Sequence, residues 1–100
     1  MERSFKPGTI VQHFKRETVS EEELKNNPNK YLYEIIGTSA HTETKELLMI
    51  YKPLYEVDCL LGQDYAARPL DMFMSEVDHE KYPDVNQEYR FEEIKEENLW

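Results

Sequence analysis

The sequence has little cysteine, little glycine and no long apolar run. Its one cysteine, Cys59, excludes a disulfide within the chain. The longest uninterrupted apolar stretch, 47–51, has five residues, whereas a membrane-spanning helix needs roughly 20. The N-terminal residues include no apolar segment of the kind that marks a secretory signal. These absences predict a cytoplasmic protein with no membrane-spanning segment.

Positive charge is scarce as well. The chain carries 12 Lys and Arg against 21 Asp and Glu, for a formal net charge of −9. Residues 51–100 hold 5 of the bases and 13 of the acids. Because nucleic acids and anionic lipids are bound mainly by Lys and Arg, this charge disfavours both as partners. It favours a basic partner, or it simply keeps a small protein soluble.

The apolar content is sufficient for one small core. With 100 residues, 39% of them hydrophobic and 12% aromatic, the chain fits a single domain, 1–100. The expected core residues come from the predicted strands and from one helical turn. They are Ile10, Phe14, Leu32, Ile35, Ile36, Leu48, Ile50, Phe73, Val77 and Phe91.

Five segments have the β-branched and aromatic composition of short strands, and most are bounded by turn residues. They are 8–14, 31–38, 46–52, a short strand from residue 65 and 89–94. The second and third strands should pair as a central antiparallel hairpin. Because Pro53 removes a backbone donor, it should end the third strand.

Two helical segments are predicted beside these strands. Ser20 and Glu23 fit a capping box, which predicts a short inserted helix at about 20–27. Pro69 should begin a single helical turn, and residues 95–100 should form a frayed tail. The elements together predict a mainly β fold, as a small barrel or roll, because closure removes exposed sheet edges.

Six segments carry a family resemblance. They are "HFK" (13–15), "YLYEIIG" (31–37), "AHTET" (40–44), "ELLMIYKPLY" (46–55), "ARPLDMF" (67–73) and "RF" (90–91). In this order and spacing the chain resembles the bacterial domain of unknown function 1653 family, from about Gly8 to Phe91. The resemblance implies an SH3-like barrel, but no activity, cofactor or catalytic residue. This chain departs from many members at Arg16, where they have a glycine turn, and at Ala66–Ala67, where they have Trp-Val.

The polar stretch "AHTET" contains no glycine, asparagine, aspartate or proline, although it separates two strands. In extended geometry His41 and Glu43 share a face, so that the carboxylate could orient the imidazole as an acid-base pair. Alternatively, these side chains, with Thr42 and Thr44, hydrogen-bond the backbone of the turn. Both interpretations remain open from the sequence.

Arg68 is a further candidate for ligand binding. Its guanidinium, just before Pro69, could receive a carboxylate or phosphate through paired hydrogen bonds. It could instead bond internally to Glu34 or Glu43, since an unpaired buried arginine is costly. One function hypothesis joins Arg68 to His41 and Glu43 in a small-molecule or enzymatic site.

No catalytic residue, metal site or cofactor is assigned from the sequence. A metal site would require residues such as His13, His41 and Glu43 to converge, and no local motif indicates this. Cys59 lies in an apolar run typical of a small buried side chain. Nucleophile elbows and phosphate-binding glycine loops are also missing.

The tyrosines suggest a binding surface. Those on or beside strands are Tyr31, Tyr33, Tyr51, Tyr55 and Tyr65. Together with carboxylates, aromatic faces can receive cations, as in modules that bind basic peptides or methylated lysines. The preferred hypothesis is therefore a binding module for a basic protein or peptide, with Tyr51 and Tyr55 as ligand-binding residues. The alternative is that the tyrosines are ordinary half-buried strand residues.

Overall fold

A computed structural model describes residues 4–57 and 60–94. Within these ranges the strands and helices follow the order predicted from the sequence, with one unpredicted 3-10 helix. The elements are β1 (Ile10–His13), the 3-10 helix (Phe14–Thr18), α1 (Glu21–Asn26), β2 (Leu32–Ala40), β3 (Leu47–Pro53), β4 (Ala66–Pro69), α2 (Leu70–Phe73) and β5 (Phe91–Glu93). Cys59 and the predicted frayed tail, 95–100, lie outside the described residues.

The five strands form one antiparallel sheet in the order β4-β3-β2-β1-β5. The predicted β2–β3 hairpin is confirmed at its centre. In the part of the chain that the structure describes, β4 and β5 are the two edges and the sheet does not close. The mainly β fold is therefore confirmed, but an SH3-like barrel is not. Both edge strands are short, which limits the exposed backbone that closure would otherwise cover.

The β2–β3 hairpin contains two irregular backbone positions. The register shifts between Ile35 and Gly37, which is a β-bulge, and Gly37 has a φ of 153°. A positive φ of this kind favours glycine, because a side chain there would be strained. In the turn of the hairpin, shortly before β3, Lys45 has a φ of 63°. A non-glycine residue therefore supplies the left-handed conformation that the glycine-free turn requires.

The predicted core is correct at six of its positions, namely Phe14, Leu32, Ile35, Phe73, Val77 and Phe91. The prediction for β3 is wrong about which face is buried. Met49 and Tyr51 are buried, whereas the predicted Leu48 and Ile50 are half-buried on the opposite face. The physical reason is the register, which sets Tyr51 opposite buried Ile35. Since β3 is apolar on both faces, its composition could not select between them. Ile10 and Ile36 are also half-buried rather than buried.

The main core is built from aromatic rings. Phe73 of α2 stacks on Phe91 of β5, with centroids 3.9 Å apart and planes 4° apart. Tyr51 packs against both rings and against Tyr33, which is also buried. Such contacts add to the burial of apolar area that stabilises the fold. The single helical turn that carries Phe73 thus covers part of one face of the sheet.

The inserted helix α1 begins as predicted. The hydroxyl oxygen of Ser20 accepts a hydrogen bond from the backbone N–H of Glu23 at 3.1 Å. Glu23 also forms an ion pair with Lys30, which follows the helix. No residue of α1 is buried, so the helix lies on the surface. The structure describes no helix with the length and apolar character needed to cross a membrane.

Residues 74–90 fold back on themselves between α2 and β5. Arg90 donates its backbone N–H to the Ser75 carbonyl at 2.8 Å, and Val77 donates to the Glu88 carbonyl at 2.8 Å. Val77 belongs to a second apolar cluster with Phe14 and Val85, against which Tyr82 packs. This segment therefore has its own buried apolar residues beside the 3-10 helix.

Candidate functional site

His41 and Glu43 lie in the turn between β2 and β3. The Nδ1 atom of His41 accepts hydrogen bonds from the backbone N–H groups of Glu43 and Thr44, at 3.2 and 3.3 Å. The hydroxyl oxygen of Thr44 accepts the N–H of Glu46 at 3.2 Å. The imidazole thus bonds to the backbone of Glu43 and not to its carboxylate. This geometry fits the interpretation in which side chains satisfy the turn.

Tyr51 and Tyr55 both participate in internal contacts. Tyr51 is only 5% exposed, so its ring faces are covered by the core. The Tyr55 and Tyr33 hydroxyls are 2.8 Å apart, and their rings meet edge to face. Burial, followed by this hydrogen bond, raises the pKa of Tyr33 above its ordinary range. Tyr33 is therefore neutral at physiological pH.

Arg68 lies on the core face of β4, opposite buried Met49. Its Nε donates to the Tyr51 hydroxyl at 3.1 Å, and its guanidinium lies 5.7 Å from the centroid of the Phe91 ring. Its Nη1 also lies 3.6 Å from the Met72 sulfur. The internal partners are thus a hydroxyl, an aromatic face and a thioether sulfur. Neither Glu34 nor Glu43, the partners expected from the sequence, pairs with it in the described structure.

A cleft of about 420 Å³ opens beside Arg68. It lies where β4, the 3-10 helix and the segment 74–90 meet. The residues that line it are His13, Phe14, Lys15, Arg68, Val77, Asp78, Lys81, Tyr82 and Arg90. His41 and Glu43 do not line this cleft. The cleft therefore contains Arg68 but neither of the two residues with which the sequence hypothesis joined it.

Four of the lining side chains are cationic: Lys15, Arg68, Lys81 and Arg90. Asp78 is the one acidic residue among them, and its Oδ1 accepts backbone N–H groups within its own turn. Among residues 4–57 and 60–94, none of the four cations forms an ion pair with a carboxylate. In a chain of net charge −9, the cleft thus has a local excess of positive charge, with four cations and one carboxylate in its lining.

Arg90 is held by contacts from its own segment. Its Nε donates to the Ser75 hydroxyl oxygen at 3.2 Å. Its backbone carbonyl accepts from the side-chain amide of Gln87 at 3.3 Å, and that amide also donates to the carbonyls of Gln12 and Tyr89. The terminal amino groups of Arg90 bond to no other described residue. They remain available to a ligand in the cleft.

His13 forms part of the cleft wall as a neutral imidazole. It is 8% exposed, and its Nδ1 accepts the backbone N–H of Lys15 at 3.1 Å. Burial, followed by the positive charges of Arg68, Arg90 and Lys15, lowers the pKa of His13 to about 3. Since Nδ1 is an acceptor, the ring proton is on Nε2. The residue can therefore donate a hydrogen bond at neutral pH.

The sequence indicated only Arg68 among these cations. Lys15 and Arg90 belong to "HFK" and "RF", two of the segments that carry the family resemblance, which could have drawn attention to them. Their convergence follows from the pairing of His13 with Phe91 across β1 and β5. No pattern in the sequence indicates a role for Lys81, which lies among mostly polar residues. No sequence motif encodes a contact between residues so far apart in the chain.

A second cleft lies on another part of the described structure. This smaller cleft of about 280 Å³ has a mixed lining that includes Arg16, Gln87, Glu92 and Glu93. Its charges of both signs do not select one ligand class. Within residues 4–57 and 60–94, no group of three or more His, Cys, Asp or Glu is placed to hold a metal ion.

The protein is thus a small β domain with a cationic cleft of about 420 Å³ beside its sheet. Residues 9–93 match a family described as proteins of unknown function, DUF1653. Because the match covers most of the chain, the protein belongs to this family. Neither the curated proteins nor the solved structures yield a match to the chain.

Proposed function

We propose that the protein is a single-domain binding module that holds a small anionic molecule in the cleft beside Arg68. The observation that carries this proposal is the gathering of four cations without carboxylate partners around one depression. Like charges at close range repel one another, and a bound anion relieves that repulsion. The overall negative charge of the chain makes this local excess of cations more distinctive.

Arg68 and Arg90 are held in positions from which they can form hydrogen bonds to an anion, in addition to attracting it by charge. Arg68 and Arg90 each use Nε in an internal hydrogen bond, to Tyr51 and Ser75 respectively. This restrains each guanidinium before a ligand arrives, which lowers the ordering cost of binding. The terminal N–H groups of Arg90 then remain for a carboxylate or phosphate, as do those of Arg68 that do not point to the Met72 sulfur.

The proposal is for binding and does not include catalysis. A general acid or base works best with a pKa near the operating pH, whereas the pKa of His13 is about 3. Asp78 caps its own turn. The cleft therefore offers hydrogen-bond donors and positive charge, and its histidine is poorly matched to proton exchange at neutral pH.

A basic peptide is the less well supported ligand class. That hypothesis uses the ring faces of Tyr51 and Tyr55, and the Tyr51 ring is enclosed by other aromatic side chains. Its hydroxyl also accepts from a cation already present in the fold. The acidic surface outside the cleft still favours basic partners, and a panel of Lys-rich peptides tests this class directly.

Calorimetric titration of inorganic phosphate at low ionic strength tests the anion proposal, because salt screens such contacts. We expect Arg90→Gln to weaken binding about tenfold or more, a loss typical of a charge-assisted hydrogen bond. Lys52→Gln is the matched control, since it removes one positive charge from an exposed site on β3 that does not line the cleft. Equal effects of the two substitutions would show general charge attraction and would contradict the proposed site.

A further inference from the structure

The donors of the cleft come from four different parts of the chain. Arg68 is on β4, Lys15 on the 3-10 helix, Lys81 in the turn that follows Asp78, and Arg90 directly before β5. A carboxylate is planar, has two acceptor oxygens and carries one negative charge. A phosphate monoester has three free acceptor oxygens and a charge of about −1.5 to −2 at pH 7. Four surrounding cations match the phosphate group better in both charge and direction.

The cleft is also larger than an inorganic anion requires. Its volume of about 420 Å³ lies within the roughly 300 to 1,000 Å³ that is typical of sites for small organic molecules. Part of its wall is apolar, formed by Phe14, Val77 and Tyr82. The Tyr82 ring packs edge-on against Phe14 with centroids 4.9 Å apart. It is half-buried, and the Lys81 ammonium lies 5.5 Å from its centroid, so only the remaining exposed part of the ring can contact a ligand.

We infer that the ligand is a phosphate monoester of a small organic molecule, with its phosphate between Arg68 and Arg90 and its apolar part against Tyr82. This inference rests on the anion-binding function proposed above and adds the ligand class. The phosphate oxygens accept from the terminal N–H groups of the two arginines. Lys15 and Lys81 add positive charge at the margin of the cleft. The organic part covers the exposed portion of the Tyr82 ring and displaces water from it.

Titration of the unmodified protein with three model compounds tests the ligand class. We expect phenyl phosphate to bind about fivefold or more tightly than methyl phosphate, because only the phenyl ring reaches Tyr82. We expect it to bind about tenfold or more tightly than benzoate, which has the ring but only one charge. Tyr82→Leu should remove the preference for phenyl over methyl phosphate, while methyl phosphate still binds.

The outcomes distinguish this inference from the function on which it rests. If benzoate or methyl phosphate binds as tightly as phenyl phosphate, the ligand class is wrong and the anion site stands. If none of the three compounds binds, both are overturned. A short peptide containing phosphotyrosine presents the same phosphate and ring. Binding of that peptide no tighter than phenyl phosphate supports a free small molecule, whereas much tighter binding overturns that assignment.

Discussion

The Nε of Arg68 donates a hydrogen bond to the hydroxyl of Tyr51, and the two atoms are 3.1 Å apart. Tyr51 is a core residue of β3, whereas Arg68 is half-buried at the cleft. The contact therefore connects the aromatic core with the proposed binding site. Through this hydrogen bond, the buried Tyr51 hydroxyl helps to position the Arg68 guanidinium, which a bound ligand would contact.

Tyr51→Phe should weaken phosphate binding about threefold to tenfold, because Arg68 loses the acceptor that orients it. The ring remains, so the free energy of unfolding should fall by only about 1 kcal/mol or less. Titration and urea unfolding of the same variant measure the two effects. Tyr55→Phe is the control, since it removes a hydroxyl that bonds to Tyr33 and lies outside the cleft lining. An equal loss of affinity in both variants would show that the Tyr51–Arg68 bond has no special role.

The stability of the protein should depend on His13 below neutral pH. The folded-state pKa is about 3, against 6.5 for an ordinary histidine. Between these values the unfolded chain binds more protons, so the contribution of neutral His13 is complete above pH 6.5 and is lost as the pH falls toward 3. We expect a loss of about 2 kcal/mol, after allowance for partial solvent screening.

Urea unfolding of the wild type and of His13→Asn at pH 7, 5 and 4 measures this dependence. The asparagine can still accept the Lys15 N–H but does not titrate. The wild type should therefore lose stability more steeply than the variant as the pH falls. Parallel curves for the two proteins would contradict the account of a buried neutral imidazole among cations.

Gln87 should be important for stability although it lies in a polar loop sequence. Its side chain is buried, and its amide donates to three backbone carbonyls while its oxygen accepts from Gln12. Gln87→Ala should lower the free energy of unfolding by about 2 to 4 kcal/mol, because it removes a buried amide whose hydrogen bonds join β1 to the residues before β5. Asn86→Ala is the matched neighbour, as its side chain is exposed, and should change stability by about 0.5 kcal/mol or less. Similar values for the two variants would contradict this assignment.

His41→Ala should lower the stability of the turn without changing ligand binding at the cleft. The substitution removes the acceptor for the N–H groups of Glu43 and Thr44, so stability should fall by about 1 kcal/mol. Phosphate affinity should not change, because His41 does not line the cleft. Thr42→Ala, at an exposed position of the same turn, provides the control for stability. A marked loss of affinity in His41→Ala would instead favour the site that joins His41, Glu43 and Arg68.

The strands could be predicted because their signals are local. Turn residues, β-branched residues and the Ser20 cap act over a few positions, and the structure confirms the elements that they predict. The buried face of β3 could not be predicted, because Leu48 and Met49 are both apolar. Only the pairing with β2, which includes the bulge at Gly37, determines which of them faces the core.

The candidate site was predictable only in part. The sequence indicates Arg68 because its guanidinium precedes the fixed turn at Pro69, and the structure places it at the cleft. Its neighbours His13 and Arg90 are distant in sequence and meet through the pairing of β1 with β5. The hypothesis that groups Arg68 with His41 and Glu43 came from three polar residues in an otherwise apolar setting. Of the three, only Arg68 lines the cleft, because it joins the sheet opposite Met49, whereas His41 and Glu43 lie in the turn between β2 and β3.

An NMR titration of the ¹⁵N-labelled protein with phenyl phosphate tests the central claim most directly, because it locates binding residue by residue. The account predicts saturable shifts that are largest at the backbone amides of Lys15, Arg68, Lys81 and Arg90, and smaller shifts in α1 and in the turn at 41–46. Shifts that are largest in that turn, or no saturable shifts at low ionic strength, would contradict it.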